Sequence, residues 1–179
     1  MAERNYYEVL GLSRSASADD IHTHYIEKLT QVHPDRNAGD EEAAHERTIE
    51  VVAAYRTLSD PDARKRYDFR ALNPFLVEGE TPGVKLLKGK DRKEAEARFA
   101  EGVRMVKADD TGKAVEHFKA ALKLEPAYSA ASYNLALLGA LLGNHNFALD
   151  VIAKGMQADP KDLLLPRLRK AVLATFLTV

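Results

Sequence analysis

Cysteine is absent from the 179 residues, which excludes disulfides, thiolate chemistry and cysteine-ligated zinc. Charge of one sign is lacking too. The formal net charge is −1, so there is no global electrostatic case for nucleic acid. No run approaches the roughly 20 apolar residues of a membrane-spanning helix. Met1-Ala2-Glu3-Arg4-Asn5 leads into no apolar signal segment, and the cytosol is the expected compartment. Neither a Gly-x-Ser-x-Gly turn nor a paired-carboxylate cleft signature occurs, so nothing points to an enzyme. What is present is ordinary for a folded chain: 45% hydrophobic and 30% charged residues, unlike the composition of disordered segments. The length allows one domain or two small ones.

The stretch that organises the first part of the chain is His33-Pro34-Asp35. Upstream, Ile21, Tyr25, Leu29 and Val32 recur at helical spacing and form one apolar stripe. Downstream, Ala44, Thr48, Val51, Tyr55 and Leu58 do the same. Two such helices joined by the short polar connection Arg36-Asn37-Ala38-Gly39-Asp40 are expected to fold back as an antiparallel hairpin. The tripeptide then lies at the exposed tip, and Pro34 fixes its own φ while restraining His33.

Local signals set the boundaries. Residues 5–10 read as a short helix stopped by Gly11. Ser17-Ala18-Asp19-Asp20 is a capping-box pattern that starts the long helix near residue 18, ending by Val32. Asp40 is expected to cap the third helix, with Glu41 and Glu42 at its positive end. Asp60-Pro61 starts a fourth.

These pieces together resemble a J-domain, the DnaJ-type co-chaperone module, over residues 5–68. The resemblance is carried by Tyr6-Tyr7-Glu8-Val9-Leu10-Gly11-Leu12, Ile21 with Tyr25, and His33-Pro34-Asp35-Arg36-Asn37. Ala54-Tyr55, Leu58-Ser59-Asp60-Pro61 and Arg64-Lys65-Arg66-Tyr67-Asp68 complete it, all in order. It implies an all-α fold, with a four-helix J-domain at 1–70, and a DnaK-type (heat shock 70 kDa) chaperone as partner. That partner's ATP hydrolysis would be stimulated through His33, Pro34 and Asp35, with Tyr25, Lys28, Arg36 and Asn37 beside them. Asp35 would pair with an arginine of the partner. ATP belongs to the partner, and no cofactor or metal is implied for this chain.

One stretch departs from the family. Its members present several basic residues in the turns before the tripeptide. Here His22-Thr23-His24-Tyr25-Ile26-Glu27-Lys28-Leu29-Thr30-Gln31 offers Lys28 as its only certain cation, and Glu27 has the opposite sign. Electrostatic steering of an acidic partner surface is then weak. For Arg64-Lys65-Arg66 a solvated helix end and a partner contact stay equally open. His22 and His24, two apart on a helix, face different ways. Neither they nor His117 and His145 support a metal site.

Residues 71–90 read as a linker, broken by Pro74, Gly79, Pro82, Gly83 and Gly89. Phe75, Leu76 and Val77 could dock on either neighbour, and a partly ordered connector is the preferred reading. From residue 91 an internal repeat appears. Pro126 and Pro160 stand 34 residues apart, as do Ala114 and Ala148, Phe118 and Ile152, Ala121 and Gly155, and Leu122 and Met156.

That period resembles the tetratricopeptide repeat, with repeats at 95–128 and 129–162 and a capping helix after them. Helices are expected at about 91–107, 111–124, 127–142, 145–158 and 162–177. Small residues such as Gly102, Ala121 and Gly155 would let helices approach closely, while Phe99, Phe118, Tyr133 and Leu135 fill the space between. The bulky residue expected at Arg98 and Ser132 stands one place later, at Phe99 and Tyr133. Some such stacks clamp an acidic chaperone tail through a lysine and an asparagine on a repeat's first helix. Those positions read Phe99 and Val103, so the clamp fails, although Asn134 matches one second-repeat position. A client or scaffold protein in the repeat groove is the partner that remains. The leucine-rich end, Leu163 to Phe176, contains Arg167, Arg169 and Lys170 and reads as the capping helix, with apolar surface left for a dimer contact. The function that follows is a J-domain co-chaperone. The alternative is a J-like scaffold that binds without stimulating hydrolysis.

Overall fold

Asn5 and Gly11 bracket the first helix, α1 (Tyr6–Leu10). The Asn5 side chain accepts from the Tyr7 N–H, and Gly11 closes the helix at φ 70°, a conformation that favours glycine. The computed structural model describes residues 5–37, 39–76 and 92–177. Among them every regular element is helical. The chain divides into two compact units, Met1–Asp68 and Phe69–Val179.

In the first unit α2 (Ala18–Val32) begins with the capping box that Ser17 and Asp20 promised. Asp20 N–H donates to Ser17 Oγ at 3.1 Å, and Ser17 N–H donates to the Asp20 carboxylate at 2.9 Å. The hydroxyl of Ser17 holds the Asp20 carboxyl below the usual 3.8. The third helix, α3 (Glu41–Ser59), differs from expectation at its start. Asp40 makes no capping bond; its carboxylate is turned to Arg47 at 3.0 Å instead. An exposed carboxylate next to a guanidinium two helical turns on gains more from that charge-assisted bond than from a lone amide. Asp60 does cap α4 (Pro61–Leu72), accepting from the Ala63 N–H at 2.6 Å.

The hairpin of α2 and α3 is antiparallel. Tyr25 stacks on Tyr55 with ring centroids 4.0 Å apart, while at the opposite end Thr48 reaches the Val32 carbonyl. Tyr7, Leu10, Ile21, Val51, Ala54 and Leu58 form the core, flanked by half-buried Tyr25, Leu29, Val32 and Tyr55. Ile21, Val51 and Leu58 of the expected stripes are inside. Thr48 lies at the margin, its hydroxyl donating back to the Ala44 carbonyl.

The second unit stacks α5 (Arg92–Lys107), α6 (Thr111–Leu124), α7 (Ser129–Leu141), α8 (His145–Ala158) and α9 (Leu164–Val172). Each packs on the next, and α9 also packs on α7. The expected fifth helix therefore splits: α9 stops at Val172 and a π-helical turn, Leu173–Leu177, follows. Asp162 starts α9 by accepting from the Leu164 and Leu165 N–H groups. Being enclosed by α6, α8 and α9, α7 is buried all round from Ser129 to Ala140. Such a helix cannot be amphipathic.

Close approach is real at two of the small residues. A Cβ on Gly102 would fall 2.6 Å from the Phe118 ring, and one on Gly155 would fall 2.6 Å from Leu165 and 2.9 Å from Ser132 Oγ. The described part of the segment after α4 is docked. Phe75 and Leu76 pack on the core of the second unit, because two bulky apolar side chains gain more there than in water. Val77 and the rest of the expected linker up to residue 90 lie outside the described residues.

Candidate functional site

The tip of the α2–α3 hairpin is built by a short exchange of hydrogen bonds. Pro34–Arg36 form one 3₁₀ turn. His33, held at φ −58° and ψ 135° by the proline that follows it, is the residue where α2 stops. Its carbonyl accepts from the Arg36 N–H at 3.0 Å, and the Pro34 carbonyl accepts from the Asn37 N–H at 2.9 Å. His33 Nδ1 accepts from the Asp35 N–H at 3.3 Å and lies 3.5 Å from an Asp35 carboxylate oxygen. With Nδ1 as acceptor, the neutral ring carries its proton on Nε2. The Asp35 side chain itself is 87% exposed. It has surrendered little hydration, so a partner cation would find it available.

Asn37 ties this turn to the helix before it. Its amide Nδ2 donates to the Gln31 carbonyl at 3.0 Å and to the His33 carbonyl at 2.9 Å. Both belong to the last carbonyls of α2, which have no partner inside the helix. Asn37, named from the sequence for partner contact, is thus held in positioning the tripeptide. Arg36 stands exposed beside it. Tyr25, half-buried, braces the hairpin by its stack on Tyr55.

The face of α2 leading to the tip is poor in free cations. Ile26 is 48% exposed and Glu27 is exposed beside it. The stem of Lys28 lies on Gly11, its Cε 3.6 Å from where a Cβ would sit. The two histidines of this helix are engaged locally. His22 Nδ1 meets the Tyr55 hydroxyl and His24 Nδ1 the Leu10 carbonyl, each at 3.2 Å. A carbonyl only accepts, so His24 carries its proton on Nδ1. Among the described residues no cluster of histidines and carboxylates has the makings of a metal site.

Sequence reasoning missed the role of Arg64. It left open a solvated helix end or a partner contact; the half-buried Arg64 is bound within its own unit. Its Nε donates to the Tyr7 hydroxyl at 2.9 Å and its Nη2 to the Arg14 carbonyl at 2.9 Å. Tyr7 donates onward to Asp68 at 2.9 Å, and Arg14 lies 3.9 Å from that carboxylate. The network pins α1 and the loop after it to α4, together with the stack of Tyr6 on Tyr67 at 4.8 Å. Burial raises the Tyr7 hydroxyl above its usual 10.0, the Asp68 charge pushing the same way and Arg64 opposing. Lys65 and Arg66 are the exposed members of the run.

In the second unit, Phe99 and Val103 occupy the positions where a clamp would need polar groups, and both are buried. Asn134 is fully buried and bonded through both ends of its amide to the backbone of Leu76. His145 stacks on Phe176 at 4.5 Å. No helix of the described residues is long and apolar enough to cross a membrane.

Comparison with known proteins bears on the first unit. Residues 5–68 match the DnaJ domain family. The chaperone protein DnaJ of Deinococcus proteolyticus is 56% identical over 68 residues, 38% of this chain and 22% of that protein. Its counterpart in Porphyromonas gingivalis is 52% identical over 69 residues, 38% of this chain and 18% of the relative. That of Thermosipho africanus is 44% identical over 68 residues, with the same shares. The likeness spans about a fifth of those relatives, and the family match ends at residue 68. With the hairpin, its braced tip and the α1–α4 network all falling inside the matched stretch, the N-terminal 68 residues of this chain carry a J-domain of the DnaJ family.

Proposed function

We propose that this protein is a co-chaperone that stimulates ATP hydrolysis by a DnaK-type chaperone and brings a client or an assembly to it through the second unit. The observation that supports this most is the His33–Pro34–Asp35 turn. It is exposed, internally braced by Asn37, and set in a stretch that matches the DnaJ domain. Asp35 then meets an arginine of the partner, a charge-assisted bond that strengthens as the contact excludes water. His33 and Pro34 shape the turn that presents it. The chain has no turnover of its own; hydrolysis takes place in the partner. Catalysis by His33 and Asp35 is disfavoured because both stand in open solvent with no cleft around them, where pKa tuning and water exclusion fail.

For the second unit we propose a tetratricopeptide-like stack of two helix pairs, α5–α6 and α7–α8, capped by α9. The 34-residue offset supports it: Phe118 and Ile152 are both fully buried, and Ala121 and Gly155 are both buried. A protein partner suits the stack better than a small ligand, and the cytosol is the compartment that fits the whole reading.

The test is a steady-state ATPase assay with the cognate chaperone. Wild-type protein should raise hydrolysis, and His33→Gln should return it to the basal rate with helicity and melting temperature unchanged, since an exposed tip residue contributes little packing. Stimulation at wild-type level by the variant would defeat the proposal. The second reading, a scaffold that binds without stimulating, draws on the α2 face, where exposed Ile26 and Glu27 and the packed stem of Lys28 replace a basic surface. Binding of the chaperone without any rise in hydrolysis would favour it.

A further inference from the structure

Asn134 lies in the middle of α7 with no solvent exposure, and its amide is committed to a single residue of the same unit. Oδ1 accepts from the Leu76 N–H at 2.8 Å, and Nδ2 donates to the Leu76 carbonyl at 2.9 Å. The N–H and C=O of one residue point to the same side when its backbone is extended, as in the hydrogen-bonded pairs of an antiparallel ladder. Asn134 therefore holds Leu76 as one strand holds the next. Phe75 and Leu76 are half-buried against the core of the unit, and the Arg70 guanidinium lies 5.9 Å from the centre of the Phe75 ring.

Burying an amide is costly unless donor and acceptor are both satisfied. The site thus requires an extended backbone, but it does not read which residue supplies one, because every extended residue other than proline offers the same pair. Selectivity resides in the apolar surface that receives Phe75 and Leu76. Pro74 is exposed, and Leu72 is 75% exposed. The occupant is a short irregular segment held by two hydrogen bonds and two partly buried side chains, far less than anchors any helix of the stack.

We infer that Asn134 and the apolar surface beside it form a peptide-docking site whose tethered occupant is residues 74–76, and that an extended partner segment with adjacent bulky apolar side chains displaces it. This rests on reading the second unit as the client-holding module. Its chemistry fits an unfolded or extended client, which exposes both backbone pairs and large apolar side chains. Because the built-in segment is tethered, its effective concentration is of the order of millimolar. Casual ligands are excluded, and only a segment making further contacts along the stack competes.

The probe is a fluorescein-labelled, C-terminally amidated peptide reproducing residues 70–76, titrated into the full chain and followed by fluorescence polarisation. Wild-type protein should bind it weakly. A Phe75→Ser/Leu76→Ser chain, its own occupant weakened, should bind it at least about tenfold more tightly, the tether's advantage having been reduced. Asn134→Asp on that background, which keeps the acceptor and loses the donor, should cancel the gain. A peptide with serine in place of Phe and Leu should not bind at all. In wild-type protein an excess of the probe should speed exchange of the Leu76 amide. The inference is overturned if the double variant unfolds, or if it folds and binds no better, or if the probe leaves Leu76 exchange unchanged. Any of these makes residues 74–76 a fixed part of the core. The assay contains no chaperone and no nucleotide. Binding of a client to the intact wild-type chain tests the broader reading separately.

Discussion

Asn37 does for the tip what a cap does for a helix end. By donating to the carbonyls of Gln31 and His33 it binds the 3₁₀ turn to α2, so that His33, Pro34 and Asp35 keep one relative orientation. Asn37→Ala should cost stability of about 0.5–1.5 kcal/mol per bond lost at most, since both carbonyls are near solvent and water replaces the amide. Its larger effect should be on function: chaperone stimulation falls severalfold while the melt of the chain shifts by a few degrees. If stimulation is unchanged, the turn holds its shape without Asn37. Tyr7 acts at the same scale through a proton. Burial raises its hydroxyl above the usual 10.0, so the folded state binds that proton more tightly than the unfolded one. The associated stability is complete below pH 10.0 and is lost as pH rises through the elevated value. Melts of wild type and Tyr7→Phe below and above pH 10.0 should show the wild type losing more on the alkaline side. Tyr133, raised by burial as well, is common to both proteins and cancels in the difference.

At the scale of the element, α2 is the helix whose two faces carry different messages. Its inner face, from Ile21 through Tyr25 and Leu29 to Val32, packs on α3 as any amphipathic helix would. Its outer face lacks the positive charge that would draw an acidic partner. Ile26 is 48% exposed, so Ile26→Arg with Glu27→Lys should be tolerated by the fold. The pair adds three units of positive charge near the docking tip. If attraction limits docking, stopped-flow association with the cognate chaperone should speed up, and its rate should become more sensitive to salt. Slower association by the variant would show instead that the partner surface is matched to Ile26 and Glu27. In the second unit the corresponding lesson comes from α7. Its near-continuous burial makes it the helix on which the neighbours are assembled, and Asn134 is the one amide it carries into that interior.

For the whole molecule, the two cores are distinct sets of residues, one around Tyr7, Leu10 and Ile21 and the other around Phe99, Phe118 and Leu135. A lesion in one should stay there. Phe118 is fully buried against Gly102 and Phe99, so Phe118→Ala should remove about 3–5 kcal/mol from the second unit. Amide exchange followed by mass spectrometry should show protection lost across α5 to α8 and retained in α2 and α3. Equal loss in both units would mean that they unfold together. Chaperone stimulation, located at the tip, should survive the same substitution.

Much of this architecture was legible from the chain alone, and for definite reasons. Helix spacing of apolar residues, the Ser17–Asp20 box, Gly11, and Asp60-Pro61 act within one or two turns, so the bounds of α1 and α2 and the start of α4 followed from neighbours in sequence. The J-domain was legible because several short contiguous stretches, from Tyr6-Tyr7 through His33-Pro34-Asp35 to Arg64-Lys65-Arg66-Tyr67-Asp68, stand in order. The 34-residue offset likewise announced paired helices. Other features depend on residues that only folding brings together. Arg64 donates its Nε–H to the hydroxyl of Tyr7, 57 residues away. Leu76 finds Asn134 58 residues later. Local propensity cannot rank a solvated arginine against one bound to a distant hydroxyl, or a connector against a docked strand-like segment. Those choices are made by desolvation and by the pairing of buried polar groups, which exist only once the tertiary structure has formed.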